Sequence, residues 1–254
     1  MSASQAEQSQ ALPQWVPRFF GSAYASADMP WPEEKKAQVS QALIELLQLS
    51  PGDVVLDQCC GEGHLALALA QRGLRVHGVD QSAAYIAKAV SMTTNEDAHF
   101  NAADASSWHP GEWVDASINW HTSLGYGGVA GAKLIIQALR APLRAGKLWL
   151  LELRNLTHYK QSHPLHFTEN ATVPQWGEVV VERTGQWEGN DLIQHWKMLK
   201  DGQVVWEQSD TRCWHPSIQE LLSLIEGLAM SVSACMQTSR NLHCKTPRRA
   251  WWSW

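Results

Sequence analysis

The stretch Val54-Val55-Leu56-Asp57-Gln58-Cys59-Cys60-Gly61-Glu62-Gly63-His64 decides the fold of this 254-residue chain. Its first residues are β-branched or aliphatic and end at an acid, which is typical of a short buried strand. Gly61 and Gly63 permit backbone dihedrals that other residues avoid, so a tight turn follows. Ala/Leu-rich residues 65–70 then lead to Arg72-Gly73, a pattern that ends a helix. The segment predicts a strand, a glycine turn and a helix whose free N-terminal N–H groups face a ligand.

Two classes of ligand use such a turn. The spacing Gly61-x-Gly63-x-x-Ala66, with Asp80 about twenty residues further on, fits the dinucleotide-binding pattern. Asp57 argues against that interpretation, because a carboxylate at the end of the strand would repel a pyrophosphate. The same carboxylate would suit the ammonium group of an amino acid.

Residues 56–63, Leu-Asp-Gln-Cys-Cys-Gly-Glu-Gly, resemble motif I of the class I S-adenosylmethionine (SAM)-dependent methyltransferases. The resemblance is strongest to the branch that carries Leu-Asp-x-Cys-Cys-Gly-x-Gly, in which Cys59 replaces the first glycine of the common form. It implies an α/β fold with a Rossmann-like, doubly wound, seven-stranded sheet. It also implies SAM as the cofactor, S-adenosylhomocysteine as its product, and a small molecule as the methyl acceptor.

Composition limits the partners and the compartment. The formal net charge is −5 and no dense run of Lys or Arg occurs, so we expect no nucleic-acid partner. Five cysteines without a C-x-x-C pair indicate a reducing compartment and no zinc site. The polar N-terminus and the absence of an apolar run of about 18 residues predict no signal peptide, no membrane span and a cytoplasmic protein. The spacing of His158, His163 and His166 matches no metal-binding signature, and we predict no metal site.

Strand-like and helix-like segments alternate through the first half of the chain, which predicts a parallel sheet with crossover helices. The predicted strands cover residues 54–57, 74–79, 98–102, 114–119 and 147–153. Four of them end at, or are followed by, polar residues, namely Asp57, Asp80, Asp104 and Asn119-Trp120. Ligands of such sheets bind at the carboxyl ends of the strands, so we expect these residues to share one site.

The predicted organisation has four parts. Residues 1–12 form a disordered tail, and 13–154 form the SAM-binding core with an aromatic N-terminal lid. Residues 155–213 form an antiparallel β insertion on the acceptor side, because Gly189-Asn190 and Asp201-Gly202 separate alternating strands. Within it, residues 155–177 are expected to be loop and the strands cover 178–183, 191–199 and 204–212. Residues 214–254 supply a helix and two terminal strands, at 228–236 and 249–254, that complete the core sheet.

The resemblance assigns the cofactor contacts residue by residue. Asp57 would lie near the amino group of SAM, Asp80 would accept from both ribose hydroxyls, and Asp104 would accept from the adenine amino group. Asn119 would contribute its backbone carbonyl, and Tyr24 of the lid would approach the methionine moiety. The complete predicted set is Tyr24, Asp57, Cys59, Gly61, Gly63, Asp80, Gln81, Asp104, Ala105 and Asn119.

The acceptor is expected beside the loop after the fourth strand, where Trp-His-Thr-Ser-Leu-Gly-Tyr-Gly resembles the Thr-Ser-Phe-Gly-Tyr loop of small-molecule methyltransferases. His121 is the candidate catalytic residue, because an imidazole can take a proton from an N–H or O–H acceptor; a packing role is the alternative. Arg154 would hold a carboxylate or carbonyl of the acceptor, or form a structural ion pair. The predicted acceptor residues are Trp31, Trp120, His121, Tyr126 and Arg154.

The sequence is compatible with four functions. The first is methylation of a nitrogen of a heterocycle or amine in secondary metabolism. The second is O-methylation with His121 as general base. The third is a non-catalytic SAM-binding protein, and the fourth is an NAD-dependent oxidoreductase.

Overall fold

The computed structural model describes residues 13–21, 24, 31–162, 165–228 and 230. The expected tail at 1–12 and the predicted strand at 249–254 lie outside the described residues. The predicted strand at 228–236 also lies outside them, apart from residues 228 and 230.

The core is a parallel sheet of five strands in the order β3-β2-β1-β4-β5. Its strands are β1 Val54–Gln58, β2 Arg75–Asp80, β3 Ala98–Ala102, β4 Val114–Asn119 and β5 Leu143–Leu151. All of β1 and β4 is buried, because helices cover both faces of the sheet. The strand order reverses between β1 and β4, and such a switch point is where open α/β sheets bind their ligands. The predicted α/β fold with a Rossmann-like sheet is confirmed.

The helices alternate with the strands and divide between the two faces. Their bounds are α1 Trp15–Phe20, α2 Glu33–Leu47, α3 His64–Ala70, α4 Ala83–Met92, α5 Gly128–Arg140, α6 Leu156–Ser162 and α7 Ile218–Gly227. Leu43 of α2 and Leu69 of α3 pack on Val55 of β1, whereas Ile136 of α5 joins Leu56 on the opposite face. This division follows from the strand geometry, since successive side chains point to opposite faces. None of the described helices has both the length and the apolar character to cross a bilayer.

Side chains at the helix starts account for two of these boundaries. Ser82 caps α4, where its Oγ accepts the Tyr85 N–H at 3.2 Å. Ser217 and Glu220 form a reciprocal capping box at the start of α7. Both motifs satisfy N–H groups that the first helical turn leaves without a partner.

The second sheet is antiparallel and has four strands in the order β6-β7-β8-β9. Its strands are β6 His166–Val173, β7 Gly177–Glu188, β8 Asp191–Lys200 and β9 Gln203–Trp214. The predicted antiparallel insertion is therefore confirmed, and Gly189, Asp201 and Gly202 take the positive φ that its turns need.

The prediction of loop over residues 155–177 is wrong, because this range contains α6 and β6. Strand β6 lies at the edge of the sheet and only Val173 among its residues is buried. Its polar sequence therefore carries little of the apolar alternation that marks a strand.

Two of the contacts between the second sheet and the rest of the molecule bear on the site. Phe19 of α1 packs on its inner face, with ring centres 5.3 Å from Trp196 and 5.6 Å from Trp206. The end of β9 meets the 3₁₀ turn Ser123–Gly127 of the loop after β4. There Gly125 faces the backbone of Trp214 so closely that an added Cβ would lie 2.0 Å from the Trp214 oxygen.

We expect Gly125→Ala to lower the free energy of unfolding by about 1–3 kcal/mol, because the backbone of β9 must move to admit the methyl group. Gly131→Ala is the matched control: Gly131 lies within α5 and an added Cβ would meet no atom within 4 Å. The control should leave stability unchanged or raise it by about 0.5–1 kcal/mol. Urea denaturation of the full chain measures both, and equal midpoints for the two variants would contradict the close contact.

Candidate active site

A cavity of about 410 Å³ opens at the carboxyl ends of the core strands, which is a volume typical of small-molecule sites. Its wall includes Phe20 and Cys60, Glu62, His64 and Tyr85, all of which the sequence interpretation left unassigned. It also brings together most of the predicted site residues: Tyr24, Trp31, Asp57, Cys59, Gly61, Asp80, Gln81, Asp104, Ala105, Trp120, His121, Tyr126 and Arg154.

Asp57 is the most deeply buried acid of the cavity, with 2 % of its surface exposed. The backbone N–H of Ala66, in the first turn of α3, donates to its carboxylate. Its Oδ2 atom has no hydrogen-bond partner among the described residues. Burial, followed by the charge of Asp80, raises the pKa of the Asp57 carboxyl to about 7. A cationic ligand group beside Oδ2 would satisfy this oxygen and favour the ionised form.

Asp80 fixes the glycine turn to the start of the next helix. Its Oδ2 accepts the Gly61 N–H at 3.0 Å, and its Oδ1 accepts the Ser82 N–H at 2.9 Å. Burial raises the pKa of this carboxyl even though both hydrogen bonds act to lower it. Each oxygen keeps a further lone pair for a hydroxyl of a ligand.

Gly61 and Asp104, two further predicted cofactor residues, line the same cavity. Gly61 has φ +55° and an added Cβ there would meet no atom within 4 Å, so the turn leaves open space toward the cavity. Asp104 is exposed, and its Oδ1 accepts the Ser106 N–H at 2.9 Å, which fixes the carboxylate beside Ala105.

Two predicted cofactor residues do not line the cavity. Packing requires a glycine at position 63, because an added Cβ would lie 2.7 Å from the ring of Phe100. Asn119 is fully buried, its Nδ2 donates to the Gln58 side chain at 3.2 Å, and its carbonyl already accepts the Glu152 N–H at 2.9 Å. Pairing of β4 with β5 therefore uses the carbonyl that was expected to meet the cofactor.

The loop after β4 adopts an unusual backbone. His121 and Thr122 have φ of 65° and 61°, a region that residues other than glycine rarely occupy. Glu152, at the end of β5, holds both: its Oε2 accepts the His121 N–H at 2.8 Å and its carbonyl accepts the Thr122 N–H at 3.1 Å. Sequence reasoning missed Glu152, although a lone acid inside Leu150-Leu151-Glu152-Leu153 was the available signal.

The imidazole of His121 lies among aromatic rings at the cavity wall. Its centre is 5.1 Å from the ring of Trp31 and 6.5 Å from that of Trp120. Burial, followed by the charges of Lys35 and Arg154, lowers the pKa of His121 to about 4. The ring is therefore neutral at pH 7.

The remaining wall is aromatic and joins α1 to the second sheet. Tyr126 contacts Trp15 and Phe20, with ring centres 5.5 Å and 5.3 Å away. The Ser82 hydroxyl donates to the Phe20 carbonyl at 2.5 Å, which ties the end of α1 to the start of α4. Tyr24 packs on Trp196, with ring centres 5.3 Å apart. These contacts place an apolar cover over the polar rim.

Within the described ranges, no group of three His, Cys, Asp or Glu side chains is arranged to hold a metal ion. His163, one of the three histidines considered from the sequence, lies outside those ranges.

Comparison with known families identifies the core. Residues 55–146, which run from β1 into β5, match the family described as a methyltransferase domain. This segment contains the glycine turn and Asp57, Asp80 and Asp104. The family predicted from residues 56–63 is confirmed, and this part of the chain is a methyltransferase domain.

Among curated proteins, an 84-residue stretch is 34 % identical to the 23S rRNA (uracil(1939)-C(5))-methyltransferase RlmD of Nitrosococcus oceani. The match covers 32 % of this chain and 18 % of that protein, so the chain spans about a fifth of the length of the curated relatives it matches.

Among solved structures, the chain resembles two methyltransferases at low identity. CalS10, an amino pentose methyltransferase of Micromonospora echinaspora, is 18 % identical with a TM-score of 0.58, and the match covers 79 % of this chain and 84 % of CalS10. KedS8, a sugar N-methyltransferase of Streptoalloteichus, is 16 % identical with a TM-score of 0.60, covering 89 % and 88 % of the two chains. These likenesses show the fold.

The burial of Asp57 predicts a pH dependence of stability. Burial raises the pKa of its carboxyl to about 7 in the folded chain, from an ordinary value of 3.8. The folded chain therefore binds a proton that the unfolded chain has lost, and its stability falls as the pH rises from about 4 to about 7. Between pH 5 and 7.5, the wild type should lose about 2–3 kcal/mol of unfolding free energy relative to Asp57→Asn, which has no carboxyl to titrate.

Urea denaturation of both ligand-free proteins at several pH values measures the difference between their unfolding free energies. The effects of other titrating groups cancel in this difference. Parallel curves for the two proteins would show that the Asp57 carboxyl is already ionised at pH 5.

Proposed function

We propose that the chain is a SAM-dependent methyltransferase that transfers a methyl group to a nitrogen of a small-molecule acceptor. The observation that carries the proposal is the buried Asp57 carboxylate with one unpaired oxygen, set behind a glycine turn in a methyltransferase domain. An amino acid ammonium would complete that site, and SAM carries one.

The remaining polar groups of the rim fit the other parts of SAM. Asp80, held by two backbone N–H groups, presents free lone pairs to a ribose diol. Asp104 and Ala105 lie on the same wall, where an adenine amino group and ring nitrogen would find an acceptor and a donor. Gly61 leaves the space that the nucleoside needs. A dinucleotide would also use Asp80, but its pyrophosphate would be repelled by Asp57.

Bound SAM supplies a methyl group on a positively charged sulfur, so the reaction is an in-line displacement that needs no protein nucleophile. The chain's own task is to align the acceptor and to exclude water. Phe20, Tyr24 and Trp31 close the cavity from the N-terminal side, and Trp120 and Tyr126 close it from the loop after β4. The faces of aromatic rings also attract a neighbouring cation such as a sulfonium.

The electrostatics of the acceptor side favour nitrogen over oxygen. An alcohol needs a base strong enough to withdraw its proton during attack, and an imidazole whose pKa is about 4 is a weak base. A neutral amine attacks through its own lone pair. Lys35 and Arg154 favour that neutral form, because their positive charges disfavour a second cation, as they do for His121.

We assign to His121 the alignment of the acceptor N–H, with the neutral imidazole accepting a hydrogen bond. The acceptor is an amine or a heterocycle from secondary metabolism, small enough for a cavity of about 410 Å³. Support comes from the structural neighbours, since KedS8 is described as a sugar N-methyltransferase and CalS10 as an enzyme of calicheamicin biosynthesis.

We expect S-adenosylhomocysteine to bind to the full chain in isothermal titration calorimetry and NAD not to bind. Asp80→Asn should weaken this binding by about 10- to 100-fold, because hydrogen bonds to a charged group contribute about 1.5–3 kcal/mol. Asp201→Asn is the matched control, since Asp201 sits in the exposed turn between β8 and β9. Tight NAD binding without S-adenosylhomocysteine binding would overturn the proposed function.

For an acceptor identified by screening amines with methyl-labelled SAM, His121→Asn should lower turnover about tenfold, the value of about one lost hydrogen bond. Asparagine tolerates the positive φ of this position, so the loop is retained, and the S-adenosylhomocysteine affinity should change little. The ratio of wild-type to variant turnover should stay constant from pH 6 to 9, because His121 titrates near pH 4. A ratio that changes around pH 6.5 would instead identify His121 as a titrating general base.

A further inference from the structure

Arg183 lies on β7 of the second sheet, and Arg154 lies beside Tyr159 of α6. Among residues 31–162 and 165–228, neither Arg154 nor Arg183 forms an ion pair. Arg212 contacts two carboxylates at 2.7 Å, and Arg75 and Arg144 contact one each, at 2.8 Å and 2.7 Å. Arg72 and Arg140 also form no ion pair within these ranges, but their guanidinium groups donate to Gln41 and to the Leu143 carbonyl. Arg183 is half-buried, where an unpaired guanidinium is costly, whereas Arg154 is exposed and lines the cavity. The cost at Arg183 points to a partner that is supplied from outside.

Arg154 faces the cavity directly. It follows β5 and forms part of the cavity wall. Its Nη1 donates to the Tyr159 hydroxyl at 2.9 Å, and the guanidinium lies 4.8 Å from the centre of the Tyr159 ring. Its backbone N–H donates to Thr122 Oγ1 at 3.2 Å. The side chain is thus positioned by neutral groups. The buried carboxyl of Glu152 is near enough to act on its charge but forms no ion pair with it.

Arg183 lies on the inner face of the second sheet. Its cross-strand neighbours are Phe167 and Trp196, and the guanidinium lies 4.8 Å and 5.0 Å from the centres of their rings. Its Nε atom is buried and has no hydrogen-bond partner among the described residues. The exposed carboxylate of Glu169 on β6 is near enough to act on its charge but forms no ion pair with it.

The two guanidinium groups share one neighbourhood. Burial lowers the pKa of Arg183, Tyr159 acts to raise it, and the charge of Arg154 acts to lower it. Tyr24, on the cavity wall, and Tyr159, beside Arg154, each experience both positive charges. Arg183 itself does not line the cavity, but the ring of Trp196, 5.0 Å from its guanidinium, packs on Tyr24 of the cavity wall with ring centres 5.3 Å apart.

We propose that Arg154 and Arg183 together bind an oxyanion of the acceptor, a carboxylate or a phosphate. Guanidinium groups match both through paired N–H donors in a planar fork, and the unpaired Nε of Arg183 is one such donor. The opposite end of the cavity carries Asp57, Asp80 and Asp104, which would repel an anion. The charge separation orients the acceptor, with its anionic group toward the second sheet and its nucleophile toward the methyl group.

This inference rests on the proposed function, and calorimetry can separate the two. Sodium phosphate, sodium diphosphate and sodium benzoate are titrated into the full chain saturated with S-adenosylhomocysteine, at constant ionic strength. At least one of the three anions should bind to the wild type. Binding of phosphate or diphosphate alone identifies a phosphate site, and binding of benzoate alone identifies a carboxylate site.

Arg183→Gln should weaken that binding at least tenfold, and Arg183→Lys should weaken it less, because lysine keeps the charge and loses the fork. Arg72→Gln makes the same charge change on the exposed surface, where Arg72 contacts Gln41, and should leave it unchanged. Unchanged S-adenosylhomocysteine affinity in Arg183→Gln shows that the variant is folded; if that affinity is lost, Arg183→Lys and Arg154→Gln provide the test.

No anion binding to the wild type, or equal binding to Arg183→Gln and Arg72→Gln, would overturn the inference and leave the proposed function intact. Failure of S-adenosylhomocysteine to bind to the wild type would overturn the proposed function itself.

Discussion

The burial of one carboxylate, that of Asp57, is the constraint on which the site depends. It lies at the end of the central strand, where helices cover both faces and water is excluded. The N-terminal turn of α3 offers it a hydrogen bond, through the Ala66 N–H. The glycine turn must therefore bring α3 back over the end of β1, and this close approach also builds the cavity wall. A group that opposes folding near neutral pH is thus placed where a cationic ligand would stabilise it.

The neighbouring loops are also held by acids at strand ends, each of which accepts a backbone N–H. Asp80 accepts from Gly61 and Ser82, and Glu152 accepts from His121. The second case opposes real strain, because left-handed conformations of residues other than glycine cost about 1–3 kcal/mol each. Strong hydrogen bonds to buried carboxylates offset that cost. The site is therefore rigid on its polar side before any ligand binds, which lowers the entropy lost on binding.

The sequence predicts the features that local pattern controls. The strand at 54–57 and the turn glycine Gly202 each depend on their immediate neighbours, and the structure places them as expected. The failures need information from distant residues. The need for a glycine at position 63 comes from the ring of Phe100, which lies far along the chain. Glu152 reaches the loop after β4 only because β5 pairs with β4.

The polar strand β6 likewise exists because β7 supplies its hydrogen bonds. Arg183 gives no signal in the sequence, because its neighbours Phe167 and Trp196 are set by the pairing of three adjacent strands.

The division of charge within the cavity links binding to turnover. Acids surround the place proposed for the cofactor, whose sulfonium and ammonium groups are cations, whereas Lys35 and Arg154 act on the acceptor side. Methylation of a neutral amine consumes the sulfonium charge and creates a cation on the acceptor. That new cation then lies beside positive side chains, which disfavour it unless it loses a proton or leaves. The arrangement that keeps the acceptor nucleophilic before transfer therefore also promotes release of the product after it.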